Sequence, residues 1–159
     1  MRDISIRAAE AADSEFAYRV LERTMREVAV AAWGKWSEAE GRERTASDAR
    51  AGRSQIIQWG SEPVGLLCVD KLDTHTQLDQ LYVLPDYQRR GIGAEVLQLI
   101  LSEARSAKRP VRLRVLRANP AKNFYARHGF NVISETAERL FMEYAPPREH
   151  DEVSCSLEQ

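Results

Sequence analysis

PDYQRRGIGAEVL (residues 85–97) places two arginines and two glycines directly before a run of apolar residues with helical spacing. The first-turn N–H groups of a helix have no intrahelical partner, and the helix dipole adds partial positive charge there. Glycine lets the backbone approach a ligand closely, and arginine side chains add charge-assisted donors. The stretch therefore predicts a binding site for a phosphorylated ligand over residues 88–94.

A strand precedes this loop and a helix follows it. LDQLYVL (78–84) is a largely apolar run that Pro85 ends. Beyond Gly91, apolar residues recur every four positions, which is the spacing of one helix face. These residues are Ile92, Val96, Ile100 and Ala104. The chain therefore predicts a strand, a glycine-bearing loop and a helix in direct succession.

The spacing within the loop weakens two common phosphate-binding motifs. A Walker A loop needs Lys and then Ser or Thr after its last glycine, where this chain has Ala94 and Glu95. A dinucleotide fingerprint needs a third Gly or Ala at the position of Val96. On this stretch alone, a solvated turn with glycines for tight packing is an equal alternative. A nucleotide- or phosphosugar-binding enzyme is a weaker one.

Apolar periodicity predicts the elements on both sides of this unit. Strands are predicted around Ile4 and Ile6 and over 54–59, 63–70, 111–116, 130–134 and 139–145, and helices from an N-cap at Asp13 to about Ala32, from an N-cap at Ser37 to Arg50, and over 120–128. The order β-α-α-β-β-β-α-β-α-β-β is that of a mixed α/β (α+β) domain without the strict alternation of a Rossmann fold. We expect one domain over 1–146 and a flexible polar tail over 147–159.

The composition excludes several classes of protein. The 159-residue chain is 43% hydrophobic and 30% charged, as in globular domains, and its net charge of -1 gives no excess positive charge for nucleic acid. Its two cysteines, Cys68 and Cys155, provide neither a disulfide framework nor a metal site. No apolar run is typical of a signal peptide or a membrane span. We therefore expect a cytoplasmic protein that binds no metal, membrane or nucleic acid.

Two stretches together resemble a known superfamily. LYVLPDYQRRGIGAEVL (81–97) resembles the acyl-CoA pyrophosphate-binding motif of the GNAT N-acetyltransferases, which is Q/R-x-x-G-x-G/A after a strand that ends in V-x-P. NPAKNFYARHGF (119–130) resembles the second motif of the same superfamily, in the same order and with a strand between the two. The resemblance implies a GNAT-type fold, with a central mixed, mostly antiparallel twisted sheet of about seven strands flanked by about four helices.

The resemblance also implies where acetyl-CoA, the acyl donor, would bind. In the superfamily the pantetheine arm pairs with the backbone of the strand before the loop, here at Leu81 and Val83. Asn119 and Phe124 match positions near the cofactor, although a helix N-cap and a core contact are their alternatives. The pyrophosphate contacts the loop, mainly through backbone N–H groups with the arginines assisting. The loop residues are Gln88, Arg89, Arg90, Gly91, Ile92, Gly93 and Ala94.

Tyr125 is the catalytic acid that the resemblance implies. It matches a tyrosine that donates a proton to the leaving thiolate. A phenol with a pKa of about 10 suits this role because it stays protonated at neutral pH. A core tyrosine is the structural alternative.

Asp79, on the strand before the loop, matches the carboxylate that accepts the proton of the amine. Simple alternation along the strand places it on the same face as Leu81 and Val83. Asp73 and His75, in the preceding turn, are alternatives for the base. A surface carboxylate is the structural alternative for Asp79.

Trp33 and Trp36 lie between the first two predicted helices, where the superfamily builds its acceptor site. Two tryptophans can form a wall for an apolar or cationic substrate, and a packed corner is the alternative. His128 is expected to cap its helix rather than to bind metal. The resemblance allows a small-molecule or peptide amine as acceptor, and a monomer or a homodimer.

Together these residues predict an N-acetyltransferase that transfers acetyl from acetyl-CoA to a primary amine. The amine would attack directly, within a ternary complex. The alternative is a non-catalytic acyl-CoA-binding or regulatory domain with the same fold. Such a domain would keep the loop and lack a competent base.

Overall fold

A computed structural model describes residues 3–147 as a seven-stranded sheet with four helices, in the order that the sequence predicts. The strands are β1 (Ile4–Ala8), β2 (Ser54–Trp59), β3 (Glu62–Lys71), β4 (Thr76–Val83), β5 (Val111–Leu116), β6 (Asn131–Glu135) and β7 (Arg139–Tyr144). The helices are α1 (Ser14–Trp33), α2 (Glu38–Arg50), α3 (Ile92–Ala107) and α4 (Ala121–Arg127). The expected mixed α/β class is thus confirmed.

The sequence also predicts a flexible C-terminal tail and the absence of a membrane span. The tail predicted over 147–159 lies, apart from Pro147, outside the described residues, and so does Cys155. Between residues 3 and 147, no helix combines the length and the apolar character that crossing a membrane requires.

The sheet opens between its two central strands. Its order is β1-β2-β3-β4-β5-β7-β6, and every neighbouring pair is antiparallel except β4 and β5. These two parallel strands pair only through Thr76 with Val111 and Gln77 with Arg112. Beyond that point they diverge, which leaves a gap that widens toward α3 and α4. We call this opening the β4–β5 gap.

The helices cover both faces of the sheet. On one face, α3 packs against β3, β4 and β5. The contacting residues include Val96, Leu97 and Leu101 of α3 and Leu67, Leu78 and Leu113 of the strands. On the other face, α1 packs against β2 and β3 through Ala17, Val20, Ile56 and Leu66. The loops at the wide end of the gap are therefore held by two separate cores.

β4 carries one extra residue opposite β3. Cys68 pairs with Gln80, and the next residue of β3, Val69, pairs with Leu78. Asp79 therefore has no partner in the register and forms a β-bulge. A bulge of this kind breaks the alternation of side chains along its strand.

The bulge changes the face on which the candidate base lies. Leu81 and Val83 pack on the α3 face of the sheet. Asp79 instead accepts a hydrogen bond from Arg53, which also contacts Asp48 of α2. The expectation that Asp79 shares a face with Leu81 and Val83 is therefore wrong, because it counted an alternation that the extra residue interrupts.

Gly65 of β3 lies too close to β4 for any side chain. A Cβ at this position would lie 2.4 Å from the backbone oxygen of Tyr82 and 3.2 Å from Cδ1 of Ile57. Because a backbone atom cannot move alone, β4 would have to shift. We expect Gly65→Ala to lower the free energy of unfolding by roughly 1–3 kcal/mol in denaturant titrations. The control is Gly93→Ala, whose Cβ would find its nearest atom at 3.8 Å; equal effects of the two variants would contradict the close approach.

Candidate active site

The loop between β4 and α3 presents a run of unpaired backbone N–H groups. Arg89 (φ 64°) and Gly91 (φ 82°) are left-handed, and α3 begins immediately afterwards. The N–H groups of residues 89–94 donate to no acceptor within the described chain, and the first bond of the helix runs from Glu95 N to Gly91 O at 3.0 Å. Successive N–H groups in such turns form a concavity for anions, and the helix dipole strengthens it. The loop therefore has the donors that a pyrophosphate requires.

The side chains of this loop bond mainly to the protein itself. Gln88 Nε2 donates to the carbonyl oxygen of Val83 at 2.8 Å and so closes the end of β4. The guanidinium of Arg90 lies 5.2 Å from the ring centroid of Trp59 and 6.0 Å from that of Tyr87. Cation–π attraction holds Arg90 beside these two rings. The unpaired backbone N–H groups are thus the donors that this loop offers, and their contact with a pyrophosphate stays a prediction.

The start of α4 lies beside the start of α3. A Cβ on Gly93 would lie 3.8 Å from Cζ of Phe124, so Phe124 flanks the first turn of α3. Asn119 Oδ1 accepts a hydrogen bond from Ala121 N at 2.9 Å, which caps α4. Its Nδ2 lies 3.8 Å from the sulfur of Met25 on α1. The capping role of Asn119 is confirmed, and its contact with the cofactor stays a prediction.

His128 lies at the other end of α4. Its Nδ1 is 2.8 Å from the carbonyl oxygen of Phe124. This oxygen lies at the helix end and therefore has a hydrogen-bond partner in the His128 side chain. The expected capping role is therefore confirmed. Within residues 3–147, no three His, Cys, Asp or Glu side chains are grouped so that they could hold a metal ion.

Tyr125 lies on the α3 face, between Phe124 and Phe130, with ring centroids 5.3 Å and 5.5 Å away. It is 8% exposed and belongs to the core on that face. Its hydroxyl donates to no side chain or backbone acceptor in the described part of the chain. Burial raises the pKa of Tyr125, and the neighbouring Tyr82 of β4 raises it further. The hydroxyl is therefore protonated at neutral pH and free to donate, as a general acid must be.

Asp79 belongs to an ion-pair cluster that the sequence did not reveal. Arg53 donates to Asp79 at 2.8 Å, to Asp48 at 2.8 Å and to Asp70 at 2.5 Å. Hydrogen bonds to Asp70 and Asp79 raise the pKa of Arg53, which keeps the guanidinium charged. The side chain of Asp79 is 13% exposed, so it is not the surface carboxylate of the alternative. Only the contacts between α2, β2, β3 and β4 bring these four residues together.

The cluster carries more negative than positive charge. Its three carboxylates share the single guanidinium of Arg53, and one oxygen of Asp48 is buried with no hydrogen-bond partner among residues 3–147. Arg44 of α2 also lies nearby, and it donates to Gln80 when the amide of Gln80 is oriented to accept. A cation that approaches Asp79 is therefore attracted.

The alternative bases lie at the far end of β4. Asp73 and His75 are in the turn that precedes the strand, opposite to the loop that leads into α3. The ring nitrogens of His75 contact Thr74 Oγ1 at 2.9 Å and Gln77 Oε1 at 3.1 Å. Asp79 is the one of the three that lies within β4, beside the β4–β5 gap.

A cleft of about 330 Å³ lies at the narrow end of the β4–β5 gap. Gln77 and Arg112, the last pair that joins the two strands, both line it. Further lining residues are Asp79, Leu113, Arg114, Ile133, Phe141 and Met142. A larger depression of about 510 Å³ is lined by α2 residues alone and does not reach the gap. The smaller cleft is therefore the one that lies next to Asp79.

The two tryptophans have different surroundings. Trp36 Nε1 donates to the Tyr18 hydroxyl at 3.1 Å, and its ring packs on Gly41, which makes it part of the corner between α1 and α2. Trp33 is 45% exposed, and its Nε1 donates to Glu138, before β7, at 3.2 Å. Trp33 therefore joins the end of α1 to the β6–β7 turn, and its contact with a substrate stays a prediction.

Comparisons with known proteins agree with this geometry. The model of the acetyltransferase (GNAT) family matches residues 16–130. The PaiA N-acetyltransferase of Thermoplasma acidophilum, solved in complex with coenzyme A, has a TM-score of 0.70 at 19% identity, over 90% of this chain and 99% of that one. The ribosomal-protein-S18-alanine N-acetyltransferase of Escherichia coli has a TM-score of 0.68 at 21% identity, over 92% and 96%.

A third solved structure extends the agreement. An acetyltransferase from Thermus thermophilus has a TM-score of 0.73 at 19% identity, over 91% of this chain and 99% of that one. A search of curated protein sequences finds no match. At such low identities the solved structures show the fold and not the substrate.

Proposed function

The chain belongs to the GNAT acetyltransferase family, and from this we propose that it transfers an acetyl group from acetyl-CoA to a primary amine by direct attack. The observation that carries the proposal is the run of unpaired N–H groups over residues 89–94, placed at the wide end of the β4–β5 gap. An extended ligand whose phosphates lie on this loop can pass along β4 toward the narrow end. Tyr125 of α4 lies on the side of the wide end, and the cleft beside Asp79 lies at the narrow end.

Tyr125 is the proposed acid. In the reaction the amine nitrogen bonds to the acetyl carbon, the carbon–sulfur bond breaks, and the thiolate of CoA takes up a proton. The phenol of Tyr125 supplies that proton because its raised pKa keeps it protonated and its hydroxyl has no other acceptor in the described chain. Solvent then restores the proton to Tyr125.

Asp79 is the proposed acceptor of the proton that the amine loses. Arg53 occupies one of its oxygens at 2.8 Å, which fixes the carboxylate, and Asp79 lines the cleft. The excess negative charge of the cluster attracts an ammonium group and orients it. The proton passes from the amine to Asp79, directly or through one water molecule.

Direct attack is supported by the state of Cys68. An acyl-enzyme route would need a reactive nucleophile, and Cys68 is the free cysteine of residues 3–147. Its side chain is buried, and burial raises the pKa of the thiol to about 12. A buried, neutral thiol is a poor nucleophile. The acetyl group therefore passes to the amine without forming an acyl-enzyme intermediate on this cysteine.

The ion pair between Arg53 and Asp79 favours a second candidate function. A carboxylate that a guanidinium already occupies is less accessible to a substrate than a free one. If Asp79 cannot take a proton, the domain would bind acyl-CoA without transferring the acyl group. Release of thiol in the presence of amines separates the two functions.

Calorimetric titration with acetyl-CoA tests the proposed ligand. We expect saturable binding with a dissociation constant of tens of micromolar or less, about -6 kcal/mol or stronger. Excess ATP or NAD should not displace the ligand, because the loop lacks the lysine and the third glycine of nucleotide motifs. Absence of binding in this range, or displacement by ATP or NAD at equal concentration, would refute the proposal.

A further inference from the structure

We propose that the acceptor is a small amine that also carries a carboxylate, such as a free amino acid, and that Arg114 selects it. This inference rests on the proposed function, because it names the acceptor class of the same site. The cleft at the narrow end of the β4–β5 gap carries negative charge on one wall and positive charge on the other.

One wall of the cleft is negative. Asp79 lines it, and behind Asp79 lie Asp48 and Asp70, which share Arg53 with it. A protonated amine is attracted to this wall, which is also where the proposed proton acceptor lies. The amino group of the acceptor therefore has a place beside β4.

The opposite wall carries one uncompensated positive charge. Two arginines of β5 line the cleft, Arg112 and Arg114. Arg112 donates to Glu143 of β7 at 2.7 Å, so its charge is balanced. Arg114 has no carboxylate or other hydrogen-bond acceptor among residues 3–147, and its register partner on β7 is the apolar Phe141. Its guanidinium is therefore free to bind an anion bidentately.

The floor between the two walls is apolar. Phe141 and Met142 of β7 line it together with Ile133 of β6, which is 52% exposed. A cleft of about 330 Å³ holds a small molecule rather than a protein segment. An amine beside Asp79, a carboxylate beside Arg114 and an apolar side chain on the floor describe an amino acid with a hydrophobic side chain. A polyamine fits poorly, because it would bring a second positive charge to Arg114.

Matched acceptors test this assignment. We expect leucine to be acetylated with a kcat/KM about tenfold to a hundredfold above that of leucinamide, since one charge-assisted hydrogen-bonded pair is lost in the amide. Putrescine, which has two amines and no carboxylate, should be a poorer acceptor still. Arg114→Gln should abolish the preference for leucine over leucinamide. The control Arg50→Gln removes an arginine on the outer surface of α2 and should leave the preference unchanged.

The contrary outcomes are distinct from failure of the proposed function. Equal rates with leucine and leucinamide, a preference for putrescine or for peptide N-termini, or an unchanged preference in Arg114→Gln would each overturn the inference while the acetyltransferase activity stands. Binding of leucine and leucinamide to the protein, measured by calorimetry, gives a second readout that needs no turnover. If acetyl-CoA does not bind, the proposed function fails, and tighter binding of leucine than of leucinamide would still support the assignment of Arg114.

Discussion

The Tyr125→Phe variant is expected to lose about 100-fold in turnover, within the range typical of a general acid. Its affinity for acetyl-CoA should stay within about twofold, because the ring and its packing against Phe124 and Phe130 are kept. The free energy of unfolding should stay nearly unchanged, since the hydroxyl that is removed donates to no acceptor in the described chain and the ring keeps its packing. Initial rates of thiol release, together with calorimetry and denaturant titration, measure the three quantities.

The control for this variant is Tyr144→Phe. Tyr144 also packs on Phe130, at 6.0 Å between ring centroids, and its hydroxyl accepts a hydrogen bond from Arg105 outside the site. Its turnover should be unchanged. If Tyr125→Phe also keeps its turnover, Tyr125 is a core residue and the acid is another group. Because burial raises the pKa of Tyr125, its protonated form is lost only as pH rises through that higher value. Deprotonation of Tyr125 therefore should not lower turnover below about pH 10.

The Gly93→Asp variant should lose acetyl-CoA affinity by about 100-fold or more, since like charges placed together cost several kcal/mol. Gly93 is the second residue of α3 and lies among the unpaired N–H groups. A carboxylate there accepts those N–H groups itself and repels a pyrophosphate. The same carboxylate stabilises the helix start, so the protein should remain folded. Calorimetric titration of acetyl-CoA measures the affinity.

Two substitutions at the same position separate charge from bulk. Gly93→Asn has the size of aspartate without its charge, and we expect it to lose less affinity. Gly93→Ala should bind within several-fold of the unmodified protein, because its Cβ contacts Phe124 and Val83 at ordinary distances of 3.8 Å and 3.9 Å. Unchanged affinity in Gly93→Asp would place the phosphates elsewhere and would refute the site at the start of α3.

Local sequence patterns predicted most elements because their causes are local. Ser37 shows this well: its hydroxyl accepts the N–H of Glu40 at 3.2 Å, as the capping signature indicates. Asp13 shows the limit. It precedes α1 as expected, yet its carboxylate bonds to Arg7 at 2.8 Å and to Glu10 N at 2.7 Å instead of capping that helix. A partner on β1 outcompeted the local bond, and no local pattern contains that partner.

Some residues of the candidate site can be predicted from local sequence patterns, and others depend on contacts between distant parts of the chain. The loop over residues 88–94 and the position of Tyr125 follow from motifs, so the sequence alone pointed to them. The bulge at Asp79 depends on the register between β3 and β4, which no single strand contains. The unpaired state of Arg114 depends on its alignment with Phe141 of β7. Cross-strand alignment therefore decides the charge of the acceptor cleft, and sequence patterns do not give it.

A single-turnover experiment tests the central claim most directly. The protein is mixed with acetyl-CoA and an amine acceptor, and the released thiol, the acetylated amine and the mass of the protein are followed in time. Transfer by direct attack predicts thiol and acetylated amine in equal amounts, no thiol without amine, and no acetylated protein at any time. Bound acetyl-CoA that releases no thiol with any amine would contradict the claim, and so would an acetylated form of the protein that precedes the product.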